Sequence, residues 1–349
     1  MKKKIYIISH SSMDLASVLN LYQRCSAECD VVIIVSSTAE SMQFLEGLGL
    51  PKAAVRFLNF ASRGNWNKKR LGKYLHQLLA EKRVLDGLAA EVSANHDNEV
   101  FFHSYDNDPH AGYLVSRVAR TNTVTLVDVL GIRPKALKIS DLLTKTGSKN
   151  IIYLAIVSAV FGKLFILSGR RSYPVLSLDL KRVNITEGSE DIRGAMGALA
   201  KYKYRISDIS DDCKNVVFLY SDSFQVCGEK HASINREIVE CLARNKLNIY
   251  IKTHPQSQVP AFLADYGVRC IPKHVPFELV DLTKVSLVVG LAGAPLLCTG
   301  GVPTVSILRL VYQEDSDQYK TAMVQLSQNP TIMFVSSVDE LEEIVGRLG

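Results

Sequence analysis

The chain alternates short apolar strand patterns with amphipathic helical ones, and it does so twice. Strand-like runs occupy residues 4–9, 31–36, 54–58, 100–103 and 123–127, with helical periodicity over 14–25 and 69–92 between them. From residue 215 the alternation restarts, with strands expected at 216–220, 247–252, 268–271, 287–290 and 304–307. Helices are expected at 231–245, 276–284 and 294–299. Strands separated by helices cannot pair through tight hairpins. They run parallel, joined by crossover helices, and each half becomes an α/β sheet.

Between the halves, 168–212 mixes Gly, Pro, Ser and charge, with few apolar runs and an Ala-rich helical piece near 192–201. At 349 residues the chain also exceeds what one core of ordinary size organises. Two Rossmann-type domains follow, 1–205 and 206–349. The simplest arrangement has them facing a central cleft lined by the carboxyl ends of both sheets, where open α/β sheets bind ligands.

Composition narrows the classes. Hydrophobic residues at 47% and charged residues at 22% exclude a disordered chain. Seven cysteines, an odd number with no Cys-x-x-Cys pair, fit neither a disulfide framework nor a zinc site, and predict a reducing compartment. After Met1-Lys2-Lys3-Lys4 the apolar run turns polar at Ser9-His10, too soon for a secretion signal, so the expected location is cytoplasmic. The net charge of +6 is spread over several segments without interleaved aromatics. It suits an anionic ligand or an anionic membrane surface, and not a nucleic-acid platform.

Residues 151–167 are apolar except Ser158 and Lys163, with Lys149 before them and Arg170-Arg171 behind. Seventeen residues with an internal lysine are short for a membrane span. The segment reads as a buried core helix first, and as a helix lying on the cytoplasmic membrane face second.

The candidate chemistry centres on Lys252-Thr253-His254-Pro255, directly after the strand pattern at 247–251. A histidine there stands where such sheets bind ligands, and the proline fixes the backbone just past it. Downstream, Gly290-Leu291-Ala292-Gly293-Ala294 leads into a predicted helix. Its glycines permit close backbone approach, and the helix start offers amides for a phosphate, with Thr299 nearby in sequence. Glu278 follows Pro276 at another predicted helix start, where a carboxylate caps exposed amides. Ser221 and Ser223 follow the strand at 216–220 and serve either as turn residues or as donors to a ligand phosphate or carboxylate.

Taken in order, Lys252-Thr253-His254-Pro255, Val275-Pro276-Phe277-Glu278-Leu279, the 288–297 loop and Gly301-Val302-Pro303-Thr304 resemble the carboxyl-terminal domain of bacterial GT-B sialyltransferases. Related polysialyltransferases and capsule Kdo transferases share the His-Pro layout. The resemblance covers about 100 residues. It implies an inverting transferase that moves an acidic keto sugar from a CMP donor to a glycan or glycolipid hydroxyl, with no separate cofactor. It gives His254 the role of acid toward the departing phosphate, and Glu278 that of ribose ligand. Lys252, Ser221, Ser223, Pro255, Gly293, Ala294 and Thr299 fall in the implied donor site. Where the related enzymes carry two adjacent hydroxyl residues, this chain has Ala292, Gly293 and Ala294, leaving main-chain amides for the phosphate.

Such a transfer needs a base, and a carboxylate of the first domain is the natural choice. Asp128, in Val127-Asp128-Val129-Leu130-Gly131, lies nearest the family's acidic-residue-then-glycine pattern, although Val129 and Leu130 intervene. Asp106 and Asp108 are the rivals; Asp108-Pro109 is also an ordinary helix start. Asp106-Asn107-Asp108 keeps a metal alternative, although a protonated histidine with backbone amides makes a metal unnecessary. His10 lies in the first strand-to-helix loop, which contacts the acceptor in GT-B enzymes, beside residues that also read as helix caps. Other readings are a UDP-sugar-using GT-B enzyme, including an epimerase, and a non-catalytic binding relic.

Overall fold

Two strands show why the sheets are parallel. Lys4–Ser9 (β1, KIYIIS) and Asp30–Val35 (β2, DVVIIV) are apolar at successive positions and buried from their second residue onward. Strands that are apolar on both faces need helices over both, the setting of a parallel sheet. The structure is a computed structural model. It describes residues 3–9, 14–35, 39–58, 60, 71–103, 109–128, 156, 159–161, 185–189, 199–206, 209, 214–220, 228–254 and 257–347.

The chain divides into two compact units, Met1–Ile192 and Arg193–Gly349. In the first, β1 and β2 are joined by β3 (Val55–Phe57), β4 (Glu99–His103), β5 (Thr123–Asp128) and β6 (Ile185–Ser189). The order across the sheet is β3-β2-β1-β4-β5-β6, with every pairing parallel. Helices α1 (Leu15–Cys25), α2 (Ala39–Gly47), α3 (Leu71–Ser93) and α4 (Pro109–Val118) accompany it.

The second unit contains β7 (Asn215–Tyr220), β8 (Asn248–Thr253), β9 (Arg269–Ile271), β10 (Leu287–Gly290), β11 (Thr304–Ser306) and β12 (Ile332–Phe334). Its helices are α5 (Gly228–Arg244), α6 (Ala294–Leu297), α7 (Leu308–Val311), α8 (Asp317–Leu326) and α9 (Val338–Arg347). The sheet order is β12-β11-β10-β7-β8-β9, again parallel throughout. Numbered from its own first strand, each sheet has the order 3-2-1-4-5-6. The winding therefore reverses between β1 and β4 in one unit and between β7 and β10 in the other, the two places where such folds bind ligands.

One expectation is revised and another narrowed. The helix predicted over 276–284 is a single 3-10 turn, Phe277–Leu279, followed by extended backbone at Val280. Tertiary pairing ends it: Tyr204 N donates to the Leu279 carbonyl (2.7 Å) and Asp281 N donates to the Tyr204 carbonyl (2.9 Å). With Val280 bridged to Tyr204, those groups are not available to continue a helix. The narrowed expectation concerns 151–167, of which residues 156 and 159–161 are described. Val160 and Phe161 are buried in the core of the first unit among Leu78, Leu85, Tyr113 and Leu114, and Ile156 packs against it. These residues favour the core reading over the membrane-surface one. Among the described residues no helix is long and apolar enough to cross a membrane.

Candidate functional site

The carboxyl end of β8 carries the candidate chemistry because a lysine is buried there. Lys252 is only 7% exposed, in register with Leu219 of β7 and Ile271 of β9. Its ammonium donates to the Thr253 carbonyl (2.9 Å) and the Lys273 carbonyl (3.3 Å). Two carbonyls do not replace the hydration of a full charge. Burial pushes Lys252 down from 10.5 to about 8; the Glu278 carboxylate pulls the other way and the Lys273 ammonium adds to the fall.

A second lysine repeats the device in reverse. Lys273, in the turn after β9, donates from Nζ to the Ser257 carbonyl (2.5 Å). Ser257 N in turn donates to the His254 carbonyl (2.9 Å), while His254 N donates to the Tyr220 carbonyl (3.2 Å) at the end of β7. The turn after β9 is closed by Val275 N to the Pro272 carbonyl (3.1 Å). The two turns are thus laced together by two lysines, each bonded to the other turn's backbone. The His254 side chain is exposed and that of His274 half-buried. Burial first, and the Lys252 charge second, hold His274 below the usual histidine range.

Glu278 is buried within its 3-10 turn. Its carboxylate acts on Lys252. Gly290, the last residue of β10, sits opposite Leu219; a Cβ there would meet the Leu219 Cβ at 3.0 Å and Leu296 Cδ2 at 3.2 Å. Glycine lets α6 settle onto the β7–β10 switch point. Gly293, at φ 111° and ψ 177°, holds a backbone conformation that side chains disfavour. Helix α6 is one turn long with Pro295 as its second residue, so its amides and dipole are modest. Ala294 is buried at its start. The Thr299 hydroxyl is buried and accepts from Thr304 Oγ1 (2.9 Å), tying the loop after α6 to β11.

The structure therefore brings together Lys252, His254 and Glu278 around the ends of β8 and β9, and it adds Lys273 and His274, which the sequence reading passed over. Their signal was present: Pro272-Lys273-His274-Val275-Pro276 places a histidine beside prolines after a strand, as Lys252-Thr253-His254-Pro255 does. Ser221, Ser223 and Pro255 lie outside the described residues, as do His10, Asp106 and Asp108. Asp128 is the last residue of β5, its backbone in register with Ser189; its side chain lies outside the described set. Among the described residues no group of three His, Cys, Asp or Glu is arranged to hold a metal.

No family model and no curated protein matches the chain. Solved structures do match it along its length. UDP-N-acetylglucosamine 2-epimerase from Rickettsia bellii aligns with a TM-score of 0.54 at 11% identity, covering 100% of this chain and 88% of the epimerase chain. The Neisseria meningitidis enzyme bound to UDP-GlcNAc gives 0.52 at 12%, covering 99% and 91%. Arabidopsis thaliana UGT89C1 complexed with UDP-L-rhamnose gives 0.51 at 11%, covering 99% and 90%. At these identities the likeness concerns fold. The chain has the GT-B-like architecture of two parallel-sheet α/β domains.

Proposed function

We propose that this chain is a nucleotide-sugar-dependent glycosyltransferase that holds the donor phosphate at the carboxyl ends of β8 and β9. The observation that carries the reading is the pair of ammoniums there, Lys252 and Lys273, against the single carboxylate of Glu278, with the imidazoles of His254 and His274 as further hydrogen-bond donors. A departing phosphate needs such a surplus. The acceptor hydroxyl oxygen attacks the anomeric carbon, and the bond from that carbon to the phosphate oxygen breaks. The acceptor proton passes to a base, for which Asp128 at the end of β5 is the candidate, ahead of Asp106 or Asp108. His254 donates to the leaving phosphate oxygen.

For the donor, a UDP-sugar is the better-supported class, because fold neighbours include complexes with UDP-GlcNAc and UDP-L-rhamnose. A CMP-linked acidic keto sugar is the second reading, favoured by Lys252-Thr253-His254-Pro255 with Glu278 downstream. Thermal denaturation with UDP, CMP, GDP, UDP-GlcNAc and a CMP-nonulosonic acid separates them. Protection by UDP and its sugar supports the first, and protection confined to cytidine ligands supports the second. If no nucleotide shifts the melting temperature, the nucleotide-sugar reading fails. Nucleotide release that requires an added glycan acceptor marks a transferase; sugar isomerisation without an acceptor marks an epimerase.

A further inference from the structure

We infer that His274 is a second anion-binding imidazole of the donor site, presented by the turn after β9, so that the site takes two neighbouring anionic groups rather than one. The inference rests on the nucleotide-sugar reading for its location.

Three observations place His274 there. Its turn is anchored to the end of β8 by the Lys252 ammonium on the Lys273 carbonyl (3.3 Å), one residue before the imidazole. The same turn is tied to the turn that starts at His254 through Lys273 Nζ on the Ser257 carbonyl (2.5 Å), and Ser257 N bonds the His254 carbonyl. The ring is also close enough to Lys252 to feel its charge, and it is only partly exposed. Two histidines thus follow adjacent strand ends, their turns fixed to each other through backbone, with His274 beside a buried ammonium.

A purely structural histidine is poorly served by this setting. Its neighbour Lys252 is a cation that disfavours imidazolium, and Glu278 is the carboxylate whose charge acts on that lysine. An incoming anion reverses the balance, since it compensates Lys252 and accepts a hydrogen bond from His274. With His254 taking one anionic group, His274 and Lys252 take the next. Two ligands present such a pair: the two phosphates of a nucleoside diphosphate, and the phosphate and sugar carboxylate of a CMP-linked acidic sugar.

The test is calorimetric titration of the full-length protein and its His274→Asn and His274→Gln variants. The ligands are UDP, UMP, inorganic pyrophosphate, CMP and a CMP-nonulosonic acid, and circular dichroism confirms that each variant folds. The expected result is about a tenfold loss of affinity for the two-anion ligand, UDP with pyrophosphate or else the CMP-sugar, with UMP and CMP bound as by the wild type. Whichever ligand loses affinity identifies the source of the second anion. Wild-type affinities in both folded variants overturn the inference and leave the proposed function standing. An equal loss for one-anion and two-anion ligands also overturns it, because that marks a scaffold role. Pyrophosphate binding that depends on His274 without any nucleotide binding upholds the two-anion site while removing the nucleotide-sugar reading, and binding of none of these ligands overturns both.

Discussion

The two sheets share one winding order, yet among the described residues their carboxyl edges are electrostatically unlike. At the first, buried polar groups meet in compact pairs. Ser17 Oγ and His103 Nε2 lie 2.9 Å apart, and the Ser9 hydroxyl donates to Asp14 at 3.4 Å. Nearby, His110 Nε2 meets the Glu81 carboxylate at 2.8 Å, with His110 stacked on Phe60. At the second edge, a buried ammonium is held by carbonyls beside a second ammonium, and one histidine is exposed. Topology sets where a ligand can bind. Under the proposed function, the residues at the strand ends make the second edge the one that takes an anion.

The sharpest way to break this comparison is at His254. His254→Ala should lower turnover about a thousandfold in an assay with the donor identified by thermal shift, while the melting temperature stays near wild type, as expected for loss of an acid and charge stabiliser. A variant with wild-type turnover removes His254 from the chemistry. The companion Asp128→Asn change should lower turnover comparably; unaltered activity passes the role of base to Asp106 or Asp108.

Next in size is a stability effect at Lys252. A lysine held near 8 when folded and 10.5 when unfolded binds its proton less well in the native state. The unfolded chain then carries more protons between those values, so this group adds stability as pH rises through the window and subtracts it below about 8. Lys252→Met should therefore lose ground to the wild type from pH 8 to pH 10.5, by about 3 kcal/mol across the window. Chemical denaturation at several pH values checks this. A constant difference between the two proteins contradicts the buried-charge account.

The smallest effect belongs to the first unit. Glu81 accepts from Gln77 Nε2 (3.0 Å) and pairs with His110, and Glu81→Gln weakens that buried link. Stability should fall by about 1–3 kcal/mol with nucleotide affinity unchanged. If affinity for the nucleotide falls in step, the first edge takes part in donor binding and the contrast between the edges dissolves.

Much of this fold was legible because continuous Val/Ile/Tyr runs such as those of β1 and β8 have few other stable uses. β6 was missed for the opposite reason. Its sequence, Ile-Thr-Glu-Gly-Ser, has little apolar pattern of its own and becomes a strand through its register with β5. The three-residue β12, Ile332–Phe334, is too short to show a period. Residues 276–284 read as a helix because nothing local reveals that Tyr204 will pair with Val280. At the site, His254 was found through its proline and strand end. Lys273 and His274 fall between the strand expected at 268–271 and the helix expected at 276–284, and only the lysine-to-carbonyl bonds between the two turns bring them into view.

The buried Lys252 also carries a calorimetric consequence. Near pH 8 about half of the unliganded molecules hold its proton. An anion that docks beside it restores the missing proton, which the buffer must supply. The heat recorded on binding then includes the ionisation of that buffer, and one ligand gives different apparent enthalpies in Tris and in phosphate.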